Sequence, residues 1–209
     1  MTPGSPDATD STPVALIGDR ILLRPYRLDD APALLAAIDE SREFLRPWVG
    51  WVDRYQTLPR VQEYCRERAA QWEAGTDYSA GIFLMEDGTL LGGAGLHYPT
   101  GDRQLLEVSC WLRASAPSRG YGTEALDLLA DLAFTRLKAT LIRLHSDVRN
   151  GATQRMAAKC GYTHRGTVRD SYAAPDGERV DLLVYALTPD LWRGRTDPHG
   201  ITPARDAER

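Results

Sequence analysis

The chain has 209 residues, 25 of them Lys or Arg and 29 of them Asp or Glu, which gives a formal net charge of -4. This length predicts one domain with extensions, and a hydrophobic content of 43% is enough to form a buried core. The slightly acidic balance argues against general nucleic-acid binding, and no apolar run approaches the roughly 18 residues of a membrane span. We therefore expect a globular protein that binds neither nucleic acid nor a membrane.

Both ends of the chain have polar compositions that predict segments outside the fold. Residues 1–13 contain almost no apolar residue, so they predict a disordered N-terminal tail without a secretion signal, and hence a cytoplasmic protein. Residues 193–209 predict a flexible C-terminal tail. A single domain remains over residues 14–192.

The three cysteines, Cys65, Cys110 and Cys160, are an odd number and form no CxxC pair. This pattern argues against a disulfide framework and against a metal site, so we predict free thiols. Cys110 is the one that invites a nucleophilic interpretation. No pattern of His and Asp partners can be read around it, and we favour packing.

The first part of the domain is predicted to contain one strand and two helices. Residues 16–24 predict the strand, and a helix follows with its N-cap at residues 29–30. Residues 43–51, interrupted by Pro and Gly, predict a loop or a short helix. A second helix starts near Pro59 and ends at Gly75.

The middle of the chain changes to β structure. Residues 78–85, 89–98 and 105–112 predict strands, and a turn signal of the type Asp87-Gly88 separates the first two. Short connections of this kind join antiparallel neighbours, so we predict an antiparallel meander of three strands.

The last part alternates helices and strands. A long helix is predicted over residues 123–138, a strand over 140–148, and a second helix that ends at Gly161. Residues 163–169 and 179–187 predict a terminal hairpin. The element order is therefore mixed, which indicates an α/β (α+β mixed) fold.

The segment SRGYGT, residues 118–123, lies between a predicted strand and a predicted helix. Glycines permit a positive φ and close approach of a ligand, and the free N–H groups of a helix N-terminus suit an anionic phosphate. A plain strand-to-helix turn is the alternative. Basic residues nearby favour a polyanionic ligand, although solvated helix faces also carry such residues. They are Arg113, Arg119, Arg149, Arg155 and Lys159.

The same loop matches GxGxxA, a dinucleotide-binding pattern, from Gly120 to Ala125. That pattern requires a βαβ unit with parallel strands. Here two hairpin-type turns precede the loop, so the preceding sheet is predicted to be antiparallel. The element order therefore favours a different phosphate-binding fold.

Several separated motifs together resemble one family. The glycine loop at 118–123, the strand at 105–112, the pattern Asn150-x-x-Thr153 and the sequence KCGY at 159–162 resemble the GNAT superfamily of acyl-CoA-dependent N-acyltransferases. Residues 20–52 are similar to the RimJ/RimL-type branch, whose known members acetylate the N-termini of ribosomal proteins. The resemblance extends over residues 19–191 and depends on the order of the motifs.

The resemblance implies a mostly antiparallel sheet flanked by helices, in which two central parallel strands, 105–112 and 140–148, splay apart. Acyl-CoA, with acetyl-CoA as the first expectation and succinyl-CoA as the alternative, would lie in that gap. Its pyrophosphate would bind the amides of 119–123, and its pantetheine arm would pair with strand backbone. The implied cofactor-binding residues are Arg113, Arg119, Gly120, Tyr121, Gly122, Thr123, Asn150 and Thr153.

Three residues qualify this expectation. Asn150 is also a good helix N-cap, which is the alternative role. Pro117 stands where the family usually has Gln or Arg, so one side chain and one backbone donor are missing. Ala157 stands where many members have a Tyr general acid, which leaves protonation of the thiolate to Thr153 or water. These departures keep open a catalytically weak acyl-CoA-binding regulator.

Direct attack by an amine requires that a base take its proton. Glu107 is the only carboxylate in the strand that leads to the glycine loop, so we predict it as that base, with a solvent-facing strand Glu as the alternative. His97 and His145 are second choices, since a strand His is more often structural. A backbone N–H near residues 109–111 is predicted to meet the oxyanion.

The acceptor site is predicted from aromatic residues in loops that cover the substrate side in similar proteins. Trp48, Trp51 and Tyr172 are the candidates, with core packing as the alternative for each Trp. Such a pocket admits a peptide or protein N-terminus or a small-molecule amine such as an antibiotic. The sequence leaves a homodimer open.

Overall fold

The computed structural model describes residues 15–116, 119–174 and 177–195. The predicted N-terminal tail at 1–13, the residues Pro117 and Ser118, and most of the predicted C-terminal tail lie outside the described residues. The described chain ends at Arg195.

The prediction of one continuous strand at residues 16–24 is wrong, because this segment forms a hairpin. Strands β1 (Leu16–Ile17) and β2 (Ile21–Arg24) pair antiparallel. The amide of Gly18 donates to the carbonyl of Ile21 across the turn. A Cβ at Gly18 would lie 2.5 Å from Oε1 of Glu124, so the turn also makes room for a distant carboxylate.

Two helices follow, as predicted. Helix α1 (Ala31–Leu45) begins directly after Asp30, and it includes three residues of the segment that we predicted as a loop or short helix. It continues this far because Leu45 is buried in the core. Helix α2 (Leu58–Glu73) is followed by Gly75, whose φ of +66° ends it as predicted.

The three-stranded meander is confirmed. Strands β3 (Asp77–Leu84), β4 (Leu90–His97) and β5 (Leu105–Leu112) pair antiparallel in succession. Helix α3 (Tyr121–Asp131) comes next and passes into a short π-helical segment (Leu132–Arg136).

The remaining elements also agree with the prediction. They are β6 (Leu141–Asp147), α4 (Gly151–Lys159), β7 (Thr163–Ala173), β8 (Arg179–Leu187) and α5 (Pro189–Arg193). The described strands form one sheet in the order β1-β2-β3-β4-β5-β6-β8-β7. In this sheet β5 and β6 are parallel, and the other neighbours are antiparallel.

The parallel pair is short, and this feature creates the site. Strands β5 and β6 are in register from Leu105 and Leu141 to Glu107 and Arg143. Both strands continue beyond this point, to Leu112 and Asp147, without further pairing to each other. The sheet therefore forks at Glu107, which confirms the predicted fold class of a mostly antiparallel sheet with two central strands that splay apart.

The two faces of the sheet bury separate cores. One face packs against α3 and α4 through residues such as Ile82, Leu106 and Leu129. The other face packs against α1 and α2 through residues such as Phe83 and Ile38. Within the part of the chain that the structure describes, no helix is long and apolar enough to cross a membrane.

The last described residue is attached to the fold. Nη1 of Arg195 lies 2.5 Å from Oδ1 of the buried Asp127 on α3 and donates to the carbonyl of Cys160 at 2.8 Å. The extents predicted for the domain and its two tails stay predictions.

Candidate active site

The glycine loop leads into the N-terminus of α3. Gly120 is the N-cap and has a φ of +84°, a conformation that glycine adopts without steric cost. No side chain caps this helix end. The amides of Tyr121, Gly122 and Thr123, the first residues of the helix, therefore have no partner within it and can bind an anion.

A buried carboxylate holds this helix end against the first hairpin. Oε1 of Glu124, which is 1% exposed, accepts hydrogen bonds from the amides of Arg20 and Ile21 at 2.8 and 3.3 Å. The Arg20 guanidinium pairs with Oε2 of Glu124 at 2.8 Å and donates to the Arg119 carbonyl at 2.7 Å. The loop is thus braced by a residue about one hundred positions earlier in the chain. Sequence reasoning missed this pair, because neither residue carries a local signal for the other.

Gly122 allows α3 and α4 to pack closely, because it has no side chain between them. A Cβ at this position would lie 2.9 Å from Sδ of Met156 and 3.8 Å from Sγ of Cys110. Gly120 differs, because its nearest neighbour is the flexible end of Arg20 at 3.3 Å. Of the two glycines, Gly120 is the one whose substitution leaves the helix contact in place.

The start of α4 contains the predicted pair Asn150 and Thr153. Oδ1 of Asn150 accepts a hydrogen bond from the amide of Thr153 at 3.1 Å, which confirms the N-cap role. Contact of either residue with a pantetheine arm stays a prediction. Ala157, on the same helix, is fully buried, and Gly161 ends the helix with a φ of +74°.

Arg113 binds a carboxylate of the protein itself. Its Nε lies 3.0 Å from Oε2 of Glu40 on α1, and the amide of Ser115 donates to Oε1 at 2.8 Å. The hydrogen bonds from Arg113 and Ser115 lower the pKa of Glu40 from 4.5 to about 2. Arg113 thus ties α1 to the segment before the glycine loop, and its role toward a cofactor stays a prediction. Arg119 is exposed within that loop.

Glu107 lies at the fork of the sheet. Its Oε1 is 3.1 Å from Nη2 of Arg143, its register partner on β6, and 3.9 Å from Nδ1 of His145. The position of Glu107 agrees with a site at the fork. Its carboxylate, however, is already paired with the guanidinium of Arg143. Its role as the base stays a prediction.

A cavity of about 300 Å³ lies between the sheet and the two N-terminal helices. We call it the aromatic cavity. Its wall is made by five aromatic side chains together with smaller apolar groups and a polar end. The aromatic residues are Tyr26, Trp51, Tyr55, Tyr64 and Trp111.

The predicted acceptor residues differ in their relation to this cavity. Trp51 lines it and packs edge-on against Trp111, with ring centroids 5.5 Å apart. Trp48 is half-buried in the turn after α1, outside the described lining. The hydroxyl of Tyr172 on β7 donates to Oδ2 of Asp147 at 3.1 Å.

The polar end of the aromatic cavity contains His97 and Ser109. Nδ1 of His97 lies 2.6 Å from Oδ2 of Asp77, and Nε2 lies 2.7 Å from Oγ of Ser109. Sequence reasoning placed His97 behind Glu107 and missed Asp77 and Ser109. These three residues come from three different strands, so no local pattern joins them.

Cys110 also lines the aromatic cavity. Burial raises the pKa of its thiol to about 12, so the thiol stays protonated at neutral pH. A protonated thiol is a poor nucleophile, which agrees with the packing role favoured from the sequence.

The forked strands, the uncapped helix N-terminus beside them and the adjoining cavity define a class of protein. A fork leaves strand backbone free to pair with an extended arm, and the helix N-terminus suits a pyrophosphate. The aromatic cavity reaches β5 at residues 109–111, beyond the last paired residue, Glu107. Such an arrangement fits an acyl-CoA-dependent transferase with its acceptor on the helical side.

Comparison with known proteins identifies the family. The model of the acetyltransferase (GNAT) domain matches residues 20–163. The chain therefore belongs to the GNAT family, and it is an acetyl-CoA-dependent N-acetyltransferase. Solved structures of the RimJ/RimL type share its fold.

One curated relative is "Probable N-acetyltransferase YjcK" of Bacillus subtilis, which is 29% identical over 178 residues, 84% of this chain and 98% of that protein. Among the solved structures that share the fold, Mycobacterium smegmatis RimJ, in complex with CoA-disulfide, has a TM-score of 0.73 at 23% identity and covers 84% of this chain and 85% of its own. The ribosomal-protein-S5-alanine acetyltransferase of Vibrio fischeri has a TM-score of 0.75 at 14% identity and covers 86% of this chain and 99% of its own.

Proposed function

We propose that this enzyme acetylates the N-terminal amine of a peptide or protein. The observation that carries the proposal is the meeting of the aromatic cavity with the fork of the sheet. The cavity is lined by Ser109, Cys110 and Trp111, which lie just beyond the stretch of β5 that pairs with β6. An amine that enters from the helical side thus reaches the point where the two strands part.

The donor site is proposed on the other side of this meeting point. Acetyl-CoA supplies an activated thioester carbonyl. The amides from Arg119 to Thr123, in the glycine loop and the first turn of α3, would hold its pyrophosphate, because the helix end is positive and uncapped. The free edge of β5 would pair with the extended arm, and Asn150 and Thr153, at the start of α4, would contact that arm. An N–H on that edge would stabilise the developing oxyanion.

The aromatic cavity would orient and desolvate the acceptor. Aromatic faces attract cations and exclude water, so they suit an ammonium group that must lose a proton before it attacks. Trp51 and Trp111 form the wall next to β5, and we propose Trp51 as an acceptor-binding residue. The roles predicted for Trp48 and Tyr172 are kept as proposals at its periphery.

Relatives support a protein or peptide acceptor. The V. fischeri neighbour is a ribosomal-protein-S5-alanine acetyltransferase. A second candidate acceptor is a small-molecule amine, which the limited volume of the cavity, about 300 Å³, favours. A cytoplasmic location and a homodimer remain predictions.

The test is release of free CoA thiol from acetyl-CoA in the presence of peptides that begin with Ala or Ser. The matched controls are the same peptides with a blocked N-terminus, and a panel of small primary amines is the second arm. We expect thiol release with the peptides that have a free N-terminus, and none with the blocked peptides or the small amines. Release with small amines but with none of the peptides would favour the second candidate. Tight CoA binding without any amine-dependent release of thiol would support the alternative of a catalytically weak acyl-CoA-binding regulator.

The acyl group is tested by stabilisation of the native state. A ligand at about 100 times its dissociation constant raises the free energy of unfolding by roughly 2.7 kcal/mol. We expect this effect with acetyl-CoA and a smaller one with succinyl-CoA at equal concentration. The reverse order would move the assignment to a succinyltransferase.

A further inference from the structure

Three polar side chains on neighbouring strands form a hydrogen-bonded chain that ends in the aromatic cavity. Asp77 on β3 and His97 on β4 are register partners, and Oδ2 of Asp77 lies 2.6 Å from Nδ1 of His97. Nε2 of His97 lies 2.7 Å from Oγ of Ser109 on β5. His97 and Ser109 both line the cavity. These hydrogen bonds therefore lead from a largely buried carboxylate to a hydroxyl that an acceptor can reach.

Gly95 gives the His97 ring the space to lie along this line. It is the register partner of Ser109, and it lies two residues before His97 on the same face of β4. A Cβ at Gly95 would lie 3.2 Å from Cε1 of His97. Any side chain at this position would press on the ring. The ring can thus extend diagonally from Asp77 to Ser109.

The partners of Asp77 determine which nitrogen of His97 carries the proton. Burial opposes ionisation of Asp77, but hydrogen bonds from His97 and Ser79 and the charge of Arg68 outweigh burial and hold the pKa of Asp77 below its ordinary value. An ionised carboxylate only accepts hydrogen bonds, so Nδ1 of His97 is protonated. In the neutral form of the ring, Nε2 then carries the lone pair and can accept the hydroxyl proton of Ser109.

We propose that Ser109 and His97 remove the proton from the acceptor amine. In this relay an N–H bond of the ammonium breaks and its proton passes to Oγ of Ser109, while the hydroxyl proton of Ser109 passes to Nε2 of His97. The amine nitrogen keeps the electron pair that forms the new bond to the acyl carbon. As the tetrahedral intermediate collapses, the C–S bond of the thioester breaks, the sulfur leaves with the electron pair, and the second proton lost by the nitrogen passes to it, so that CoA departs as the thiol. The imidazolium is held against the carboxylate of Asp77 and later gives its proton to solvent, to which His97 is 34% exposed.

The roles of the three residues differ. Ser109 contacts the amine and His97 receives the proton, so both are catalytic, whereas Asp77 acts through His97 and is a positioning residue. The inference rests on the proposed function, because it requires an amine in the aromatic cavity. It competes with Glu107, which is outside the described lining of that cavity and is paired with Arg143.

Charged and titratable groups surround His97 on every packed element. Asp77 on β3 and Glu107 on β5 are the two register partners of His97. Arg68 and Tyr64 line the cavity from α2. Burial raises the pKa of Tyr64, which keeps its hydroxyl protonated. Arg68 lies 3.5 Å from Asp77, so each carboxylate near His97 is accompanied by a cation. A pH profile must therefore be read against a Glu107 variant.

The kinetic test compares His97→Gln and Ser109→Ala with His164→Gln. The exposed His164 on the edge strand β7, outside the described lining of the cavity, is the matched control. The probe is a peptide with a free N-terminal Ala. We expect both relay variants to lower kcat by about 100-fold or more at pH 7, with the KM for acetyl-CoA unchanged. The loss should shrink near pH 9, because an α-amino group with a pKa of about 8 is then already neutral. Ser109→Thr should restore much of the rate.

Two kinetic outcomes would overturn the relay. One is a rate for Ser109→Ala and His97→Gln within about threefold of the parent at pH 7, well below the usual size of a general-base contribution. The other is an acetyl group on Ser109 after incubation with acetyl-CoA alone, detected by mass spectrometry, because this would make the hydroxyl a nucleophile.

A spectroscopic test requires no turnover. In ¹⁵N-histidine-labelled protein we expect the neutral ring of His97 to be protonated at Nδ1, and we expect Asp77→Asn to weaken this preference. An Nε2-protonated ring in the parent protein would overturn the relay. Failure of every amine in the thiol-release assay would instead count against the proposed acceptor, so the two failures are distinguishable.

Discussion

Glu107 and Arg143 form the last register pair of the parallel strands β5 and β6, and Oε1 of Glu107 lies 3.1 Å from Nη2 of Arg143. The two side chains therefore join the strands at the position where they begin to diverge. Because Glu107 is also the register partner of His97, the ion pair lies beside the proposed relay. Glu107 and His97 are thus two alternatives for one role, and single substitutions separate them.

Glu107→Gln replaces the carboxylate and keeps an oxygen that can accept a hydrogen bond from Arg143. We expect kcat near neutral pH to fall by less than about tenfold, because Ser109 and His97 still take the proton, and we expect acetyl-CoA affinity to be unchanged. Steady-state rates from pH 6 to 9 provide the measurement. A fall of about 100-fold or more that recovers at high pH would assign the proton to Glu107, as predicted from the sequence.

Gly120 is expected to serve the cofactor through its backbone. Gly120→Ala places a side chain at a φ of +84°, which costs about 1 kcal/mol and turns the first amides of α3 away from an anion. Gly88→Ala is the matched control, since Gly88 has a φ of +75° in a hairpin turn with open space around it.

Both glycine variants should lose similar stability in urea unfolding. Calorimetric titration with acetyl-CoA should show weaker binding for Gly120→Ala and parental binding for Gly88→Ala. Equal affinities in the two variants would remove the pyrophosphate from the start of α3.

Glu40 should contribute to stability in a pH-dependent manner. Its pKa is lowered from 4.5 to about 2 by Arg113 and Ser115, so its contribution is fully present above pH 4.5 and is lost as the pH falls toward about 2. The difference in unfolding free energy between the parent and Glu40→Gln should therefore shrink over this range. Urea titrations at several pH values measure it.

The control for this experiment is Glu43→Gln, because Glu43 is also on α1 and its exposed partner is Arg46, the residue that follows the helix. Surface pairs of this kind contribute little, so this variant should stay close to the parent at every pH. If the difference in unfolding free energy between the parent and Glu40→Gln is constant from pH 7 to pH 2.5, the charge of Glu40 does not contribute to stability through Arg113.

Arg195 should belong to the folded unit. Two truncations that differ by this residue alone, one ending at Gly194 and one at Arg195, isolate its contacts with Asp127 and Cys160. We expect the shorter chain to be less stable by about 2 kcal/mol, because hydrogen bonds to a buried charged group are lost. Equal melting temperatures would place the boundary of the domain before Arg195, as the predicted tail at 193–209 implies.

The sequence by itself determined the elements whose signals are local. The meander β3 to β5 follows from short apolar segments separated by turn signals such as Asp87-Gly88. Helix α4 follows from the cap at Asn150 and the glycine at Gly161. The family was evident for the same reason, because its motifs are short segments in a fixed order. The hairpin at residues 16–24 was missed, since its turn depends on contact with Glu124.

Only the tertiary structure decided how distant residues meet. Asp77, His97 and Ser109 form a chain because three strands align in one register, and Gly95 leaves room for the ring between them. The pairing of Glu107 with Arg143 depends in the same way on where β5 and β6 part. Strand register is set by packing across the whole sheet, and a shift by one residue would turn each of these side chains to the opposite face. No local pattern in the sequence contains that information.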